Sequence, residues 1–287
     1  MNRLTISTPA GPVSALQAGA GPHLHFAHAT GMNAQLYEAV LAPLADRFAI
    51  TISDARGHGF TGLDRDPGHL KSWDDFALDL THLLDVIDSG SAWILAGHSM
   101  GATVSLLAAS LRPDRVAGLM LLDPPMLPFD VAREVRAGAI IPNPMADQAA
   151  RRRGMFPSRA DARAAYHGRG VFKTWSDADL DAYLAGGLLE TDEGVELACA
   201  PAFESATFRA VSPNVEPALG AVRCPFVLLA GAHGSTVRDV ELAAFAAHPQ
   251  CISAERLPGT THFLPLERPE LVRAAIERVR AASSAER

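Results

Sequence analysis

The stretch AWILAGHSMGATVSLLAASL (residues 92–111) joins two different patterns through a turn that contains two glycines. Residues 92–96 form a short apolar run without alternation, which is typical of a strand buried on both faces of a parallel sheet. Residues 100–111 place apolar side chains on one stripe of a helix: Val104, Leu107 and Leu111. The turn reads G-x-S-x-G around Ser99, and glycines allow a strand and a helix to approach closely. We therefore predict a strand–turn–helix unit with Ser99 in a strained conformation at its tip.

The same alternation of apolar runs and helical stripes extends over much of the chain. Further apolar runs are predicted to be strands: Leu24–Ala27, Ala49–Ser53, Leu119–Leu122, Phe226–Ala230 and Ile252–Leu257. Amphipathic spacing predicts a helix over Trp73–Ile87 and a last helix that begins near Pro269. Strands that alternate with helices are joined by right-handed crossovers, so we predict an α/β fold with a doubly wound, mostly parallel sheet.

The alternation stops between Pro124 and Pro213. Prolines punctuate short helical pieces there, and no convincing strand pattern appears. We therefore predict a core formed by residues 1–124 and 213–287, interrupted by a helical insertion at residues 125–212. In open α/β sheets the ligand binds at the carboxyl edge of the strands, and an insertion that leaves this edge is expected to cover the ligand.

Composition and charge exclude several classes of protein. Hydrophobic residues make up 48% and charged residues 20% of the 287 residues, as in globular proteins. The net charge of −7 favours neither nucleic acid nor an anionic membrane surface as a partner. No apolar run is long enough to cross a bilayer, and the N-terminus lacks the pattern of a signal peptide. We expect a soluble, cytoplasmic protein.

The sequence predicts no cofactor and no metal. It has no G-x-G-x-x-G after the first strand and no P-loop. Cys199, Cys224 and Cys251 match no metal or disulfide spacing. His23 and His25 share one face of a strand, but no nearby carboxylate or cysteine completes a ligand set. We expect a small-molecule substrate as the partner, and the oligomeric state stays open.

Five motifs in order give the chain a family resemblance over its whole length. They are His28-Ala29-Thr30-Gly31, Asp54-Ala55-Arg56-Gly57-His58-Gly59, Gly97-His98-Ser99-Met100-Gly101, Leu121-Leu122-Asp123-Pro124 and Gly259–Pro265 with Glu267-Arg268-Pro269. The chain resembles the α/β-hydrolase superfamily with a helical cap. The resemblance implies Ser99 as nucleophile, His262 as general base, and an oxyanion hole formed by the backbone N–H groups of Met100 and Thr30.

The catalytic acid is where the chain departs from the common pattern of that superfamily. The usual acid follows the strand Phe226–Ala230, but residues 231–236 read GAHGST and contain no carboxylate. The superfamily has a second location for the acid, at the end of the strand before the cap, and Asp123 is there. We predict that Asp123 orients His262. The alternative is a structural Asp123, with Asp239, Glu241 or no acid at all beside His262.

The expected substrate contacts are His28, Gly31 and Met32, which lie in or directly after the motif His28–Gly31 that would supply the Thr30 N–H. For the His28 and His98 side chains, a structural hydrogen-bonding role is favoured over a catalytic one. The run Arg151–Arg153 could bind a carboxylate substrate, but nearby acidic residues favour a solvated helix face.

A serine nucleophile excludes the dehalogenases and epoxide hydrolases of this fold, which use aspartate. It predicts hydrolysis of an ester-type bond through a covalent acyl-enzyme. A carbon–carbon hydrolase, a lactonase, a thioesterase and a non-catalytic ligand-binding protein stay as alternatives.

Overall fold

A computed structural model describes residues 1–88 and 90–285. Its strands are β1 (Asn2–Thr8), β2 (Gly11–Ala18), β3 (His23–Ala27), β4 (Ala49–Ser53), β5 (Trp93–His98), β6 (Val116–Leu122), β7 (Met155–Phe156), β8 (Leu188–Thr191), β9 (Gly194–Leu197), β10 (Phe226–Gly231) and β11 (Cys251–Leu257). Within the described residues, eight strands form one sheet in the order β1-β2-β4-β3-β5-β6-β10-β11. From β4 to β11 the neighbours are parallel, and the hairpin β1–β2 is added antiparallel to β4. The predicted mostly parallel sheet is confirmed.

Helices form much of the rest of the described chain. They are α1 (Glu38–Leu41), α2 (Trp73–Ile87), α3 (Met100–Leu111), α4 (Phe129–Arg136), α5 (Pro144–Ala150), α6 (Arg159–Tyr166), α7 (Asp177–Gly187), α8 (Pro201–Arg209), α9 (Val215–Ala221), α10 (Asp239–Ala246), α11 (Leu264–Glu267) and α12 (Pro269–Ala285). A capping box of Ser72 and Asp75 begins α2, because the two side chains satisfy each other's backbone N–H groups.

Side chains of β6 show why helices are needed on both faces. Met120 and Leu122 belong to one buried cluster, together with Ile276 of α12. Leu119 and Leu121 point the other way, into a second cluster that contains residues of α2 and α3. Successive residues of a strand point to opposite faces, so a strand that is apolar at every position must be covered twice. This arrangement is the doubly wound fold.

Two parts of the fold differ from the prediction. Residues 125–212 contain the antiparallel sheet β7-β9-β8 as well as helices, so the expectation of no strand there was wrong. These strands are two to four residues long, too short to give a recognisable alternation. The hairpin β1–β2 was also not predicted. As an edge strand, β1 is largely exposed and carries few apolar residues.

Among the described residues, no helix combines the length and the apolar character that crossing a bilayer requires.

Candidate active site

The turn between β5 and α3 holds Ser99 in a conformation that few side chains adopt. Its φ is 53°, in the left-handed region, and its backbone N–H donates to Leu122 O at 2.8 Å. A Cβ on Gly97 would lie 2.3 Å from the carbonyl carbon of Gly101, so the strand and helix approach only because these positions have no side chain. The G-x-S-x-G sequence is therefore a steric requirement of this turn, which lifts Ser99 above the sheet.

Strand register places Asp123 at the same edge of the sheet as Ser99. His98 pairs with Leu122 across β5 and β6, so Ser99 and Asp123 are the next residues of two neighbouring strands. Asp123 has a φ of 47°, and its backbone N–H donates to Leu229 O at 2.8 Å. Among the described residues, Ser99 and Asp123 are the non-glycine positions with positive φ. Such strain costs on the order of 1–3 kcal/mol per residue and collects at functional sites.

The loop after β11 brings His262 between these two residues. Its Nε2 lies 3.0 Å from Ser99 Oγ, and its Nδ1 lies 2.5 Å from Asp123 Oδ2. A carboxylate accepts hydrogen bonds, so the proton of the neutral imidazole is on Nδ1, and Nε2 is free to accept from the Ser99 hydroxyl. This is the geometry that a serine nucleophile and its base require.

Asp123 is held as a carboxylate by the loop that lacks the usual acid. Oδ1 accepts from Gly231 N–H at 3.0 Å and from Ser235 Oγ at 2.5 Å, and Oδ2 accepts from Thr236 N–H at 3.0 Å. Burial by itself raises the pKa of the Asp123 carboxyl, but the hydrogen bonds from His262, Ser235 and Thr236 lower that pKa below its usual value. Residues 231–236 therefore contribute hydrogen-bond donors to a carboxylate that directly follows β6.

The two alternative acids are bound elsewhere. Asp239 is exposed and pairs with Arg256 at 2.6 Å. Glu241 is buried and pairs with Arg238. The structure therefore brings Asp123, and neither of these carboxylates, to His262.

Polar contacts fix the backbone on both sides of His262. Glu267 accepts from the Thr261 N–H at 2.7 Å and from the Thr261 hydroxyl at 2.6 Å. His98 Nε2–H donates to His262 O at 2.7 Å, and His98 Nδ1 accepts from the Tyr37 hydroxyl at 2.7 Å. Burial, together with the nearby His262, lowers the pKa of His98 to about 3, so this ring stays neutral. His98 supports the loop of His262 and does not face Ser99.

The two backbone N–H groups of the predicted oxyanion hole, those of Thr30 and Met100, have no acceptor among the described residues. Their neighbours do have acceptors, since Gly31 N–H donates to His58 Nε2 at 3.0 Å and Met32 N–H donates to Ala29 O at 3.0 Å. Met100 begins α3, where the helix dipole adds partial positive charge. Buried backbone donors are nearly always paired, so these two unpaired N–H groups are suited to hold an oxyanion.

Among the predicted substrate contacts, His28 differs from Gly31 and Met32 because both of its ring nitrogens are already hydrogen-bonded. The His28 ring is buried, with Nδ1 donating to Ala29 O at 2.8 Å and Nε2 accepting from Ala55 N–H at 2.9 Å, so neither nitrogen is available to a substrate. Gly31 has a φ of 73°, and a Cβ there would meet Glu204 Oε1 at 2.6 Å. Met32 is partly buried against the cluster that includes Tyr183.

Several supporting residues were not predicted from the sequence, namely Tyr37, His58, Ser235, Thr236 and Glu267. A hydroxyl or histidine in a loop carries no distinctive local signal, and each of these acts on a residue that is remote in the chain or on a loop backbone. The quoted motifs Asp54–Gly59 and Glu267-Arg268-Pro269 were the available hints for His58 and Glu267.

Comparisons with known proteins agree with this architecture. The profile described as the Alpha/beta hydrolase family matches residues 26–275. The 2-(acetamidomethylene)succinate hydrolase of Mesorhizobium japonicum is 26% identical over 266 residues, which cover 91% of this chain and 88% of that protein. The pimeloyl-acyl-carrier-protein methyl ester esterase of Methylococcus capsulatus is 32% identical over 107 residues, or 37% of this chain and 38% of the esterase.

The fold comparison gives a consistent result. The crystal structure of E-2-(acetamidomethylene)succinate hydrolase superposes with a TM-score of 0.78 and 23% identity, covering 98% of this chain and 99% of that structure. With most of the chain matched by the family profile and with relatives that are named hydrolases, the protein belongs to the α/β-hydrolase family.

Proposed function

We propose that the protein is a serine hydrolase that cleaves an ester- or amide-type bond in a small molecule through a covalent acyl-enzyme. The observation that carries this proposal is the ordered contact of Ser99 Oγ with His262 Nε2, and of His262 Nδ1 with Asp123 Oδ2. A serine hydroxyl is a weak nucleophile until a base accepts its proton, and His262 is placed to do so.

In the proposed reaction, Ser99 Oγ forms a bond to the acyl carbon while its proton moves to His262 Nε2. The negative charge on the substrate oxygen is held by the N–H groups of Thr30 and Met100. The bond to the leaving group then breaks, and His262 gives its proton to that group. Water repeats these steps on the acyl-enzyme, which releases the acid and regenerates Ser99. Asp123 stays ionised and stabilises the imidazolium form of His262.

The relative from Mesorhizobium japonicum supports including amides in the proposal. Its name describes a substrate with an acetamido group, and its likeness extends over 91% of this chain. The esterase from Methylococcus capsulatus supports esters over a shorter region. Thioesters, lactones and carbon–carbon bonds stay as alternatives on the same three residues.

We further propose that residues 125–212 act as a cap over this site. Three contacts support this role. Asn33 Nδ2 donates to Tyr183 O at 2.9 Å, the Trp175 and Phe263 rings lie 5.3 Å apart, and the Arg152 guanidinium reaches the surroundings of Gly31.

A fluorophosphonate probe tests the proposed nucleophile directly. We expect one adduct, mapped by mass spectrometry to Ser99 and absent in Ser99→Ala. Ser110→Ala is the matched control, because Ser110 lies at the other end of α3 and donates only to Leu107 O. We also expect Ser99→Ala and His262→Ala to abolish hydrolysis of short p-nitrophenyl esters while thermal melting stays close to that of the unmodified protein. A folded protein without an adduct would favour the ligand-binding alternative.

A further inference from the structure

Arg152 is the inward member of the run Arg151–Arg153. Its side chain is 24% exposed, whereas residues 151 and 153 are exposed at the surface. Nη1 donates to Glu204 Oε2 at 2.5 Å, and Nη2 donates to the hydroxyl oxygens of Tyr166 and Tyr183, each at 3.2 Å. The preferred interpretation of this run from sequence, a solvated helix face, is therefore wrong for Arg152.

Several hydrogen-bond donors around Arg152 have no acceptor among the described residues. Arginine only donates, so both tyrosine oxygens accept from it and their own O–H protons need another acceptor. No described residue accepts from either hydroxyl, and the indole N–H of Trp175 is buried without a partner. Buried donors are rarely left unpaired in native proteins. A ligand rich in acceptor oxygens would satisfy them.

This donor cluster adjoins the proposed oxyanion hole. A Cβ built on Gly31 would lie 3.5 Å from Arg152 Nη1, and Gly31 follows Thr30 directly. Aromatic rings connect the cluster to the base: the centroids of Tyr183 and Trp175 are 5.9 Å apart, those of Trp175 and Phe263 are 5.3 Å apart, and Phe263 follows His262. A group bound to Arg152 is thus close to a bond that is attacked by Ser99.

An anion that binds to this cluster would meet the carboxyl group of Glu204, which pairs with Arg152. Its side chain is 8% exposed, and burial raises the pKa of the Glu204 carboxyl despite its pairing with Arg152. A raised pKa makes it easier for Glu204 to take up a proton when a second carboxylate approaches. Planar carboxylates suit guanidinium and hydroxyl donors that converge from several directions.

We propose that Arg152, Tyr166 and Tyr183 bind a carboxylate group of the substrate, so that the protein hydrolyses an ester or amide that also carries a free carboxylate. This inference rests on the proposed serine hydrolase function and adds the class of substrate to it.

A pair of substrates of equal length tests the inference. Mono-p-nitrophenyl glutarate carries a terminal carboxylate, and p-nitrophenyl valerate has a methyl group in its place. We expect the unmodified protein to prefer the glutarate ester in kcat/KM. Arg152→Gln should reduce this preference by about 10- to 100-fold, because charge-assisted hydrogen bonds are lost. Arg151→Gln is the matched control, and it should leave the preference unchanged.

Two further sets of variants separate substrate binding from a structural ion pair. Tyr166→Phe and Tyr183→Phe keep both rings and should each reduce the preference for the glutarate ester by about fivefold. Glu204→Gln removes the competing carboxylate and should increase that preference, whereas a merely structural pair predicts a loss. If Arg152→Gln does not fold, these three variants decide the question.

Several results would overturn the inference. One is equal kcat/KM values for the two esters in the unmodified protein, and another is an Arg152→Gln variant that keeps the original preference. Failure of the proposed function looks different, because neither ester would be hydrolysed and no fluorophosphonate adduct would form. In that case, glutarate is titrated calorimetrically into Ser99→Ala and into the double variant that carries both Ser99→Ala and Arg152→Gln. Binding by the single variant that is lost in the double variant supports the carboxylate site. Absence of binding by the single variant refutes it.

Discussion

Replacing Asp123 by asparagine tests the unusual location of the acid. Asparagine has nearly the same shape and tolerates the φ of 47° at this position, so the backbone should be retained. What changes is the hydrogen bonding. Oδ1 of Asp123 accepts from Gly231 N–H and Ser235 Oγ, while Oδ2 accepts from Thr236 N–H and His262 Nδ1. An amide brings two donors into a site that is surrounded by donors.

The orientation of that amide determines the outcome. If its NH₂ group faces His262, Nδ1 must accept, the imidazole proton moves to Nε2, and Nε2 no longer accepts from Ser99. If its oxygen faces His262, the NH₂ group meets the fixed N–H of Gly231 and the negative charge that stabilises imidazolium is still absent. The same exchange in a Ser-His-Asp triad lowers kcat by about 10⁴-fold. A factor of that size corresponds to about 5.5 kcal/mol of transition-state stabilisation.

We therefore expect Asp123→Asn to lower kcat by about 10⁴-fold for any ester that the unmodified protein hydrolyses, and to slow fluorophosphonate labelling in parallel. Asp239→Asn and Glu241→Gln are the controls, since these carboxylates pair with Arg256 and Arg238, and kcat should change less than about threefold. Thermal melting of each variant shows whether the fold is retained. A kcat within about threefold of the original in a folded Asp123→Asn would refute the reasoning.

Two predictions concern stability. Burial lowers the pKa of His25, His58 and His98 to about 3, so the unfolded chain binds more protons than the folded one below about pH 6.5. The free energy of unfolding should fall from pH 6.5 towards pH 3 by up to about 1.4 kcal/mol per pH unit for each histidine, and equal urea midpoints at pH 7 and pH 5 would contradict this. Gly97→Ala should cost about 3 kcal/mol or more, because its Cβ would meet backbone at 2.3 Å. Gly220→Ala, with nothing within 4 Å of its Cβ, should leave the melting temperature the same or higher.

The sequence predicts the centre of the fold well, because its signals there are local. Apolar runs identify β3 to β6. The glycines around Ser99 identify a tight turn, because a side chain at either glycine position would clash with backbone atoms. Asp123 was a candidate because residues 231–236 lack a carboxylate and because parallel strands end at one edge. The distance of 2.5 Å between Asp123 and His262 agrees with that reasoning, while the catalytic role of Asp123 stays a prediction.

Other parts of the site have no local signal. Ser235 and Thr236 contact Asp123 from more than 100 positions along the chain, and hydroxyl residues are common in loops. Arg152 differs from its two neighbours only in the direction that its side chain takes, which depends on the packing of residues 125–212. The strands β7, β8 and β9 contain two to four residues, too few to show a reliable alternation.

The hydrogen bonds of Ser99, Asp123 and His262 also determine when the site forms during folding. His262 meets Asp123 across 139 positions of the chain and Ser99 across 163 positions, and Asp123 N–H reaches Leu229 O in β10. Contacts between such distant segments close large loops, and their entropic cost makes them slow to form. Helices and the nearest strand pairs therefore form first in a refolding chain. We therefore expect the proposed reactivity of Ser99 to return only after β5, β6 and β10 have paired and the loop after β11 has packed against them, which makes this reactivity a probe of a late stage of refolding.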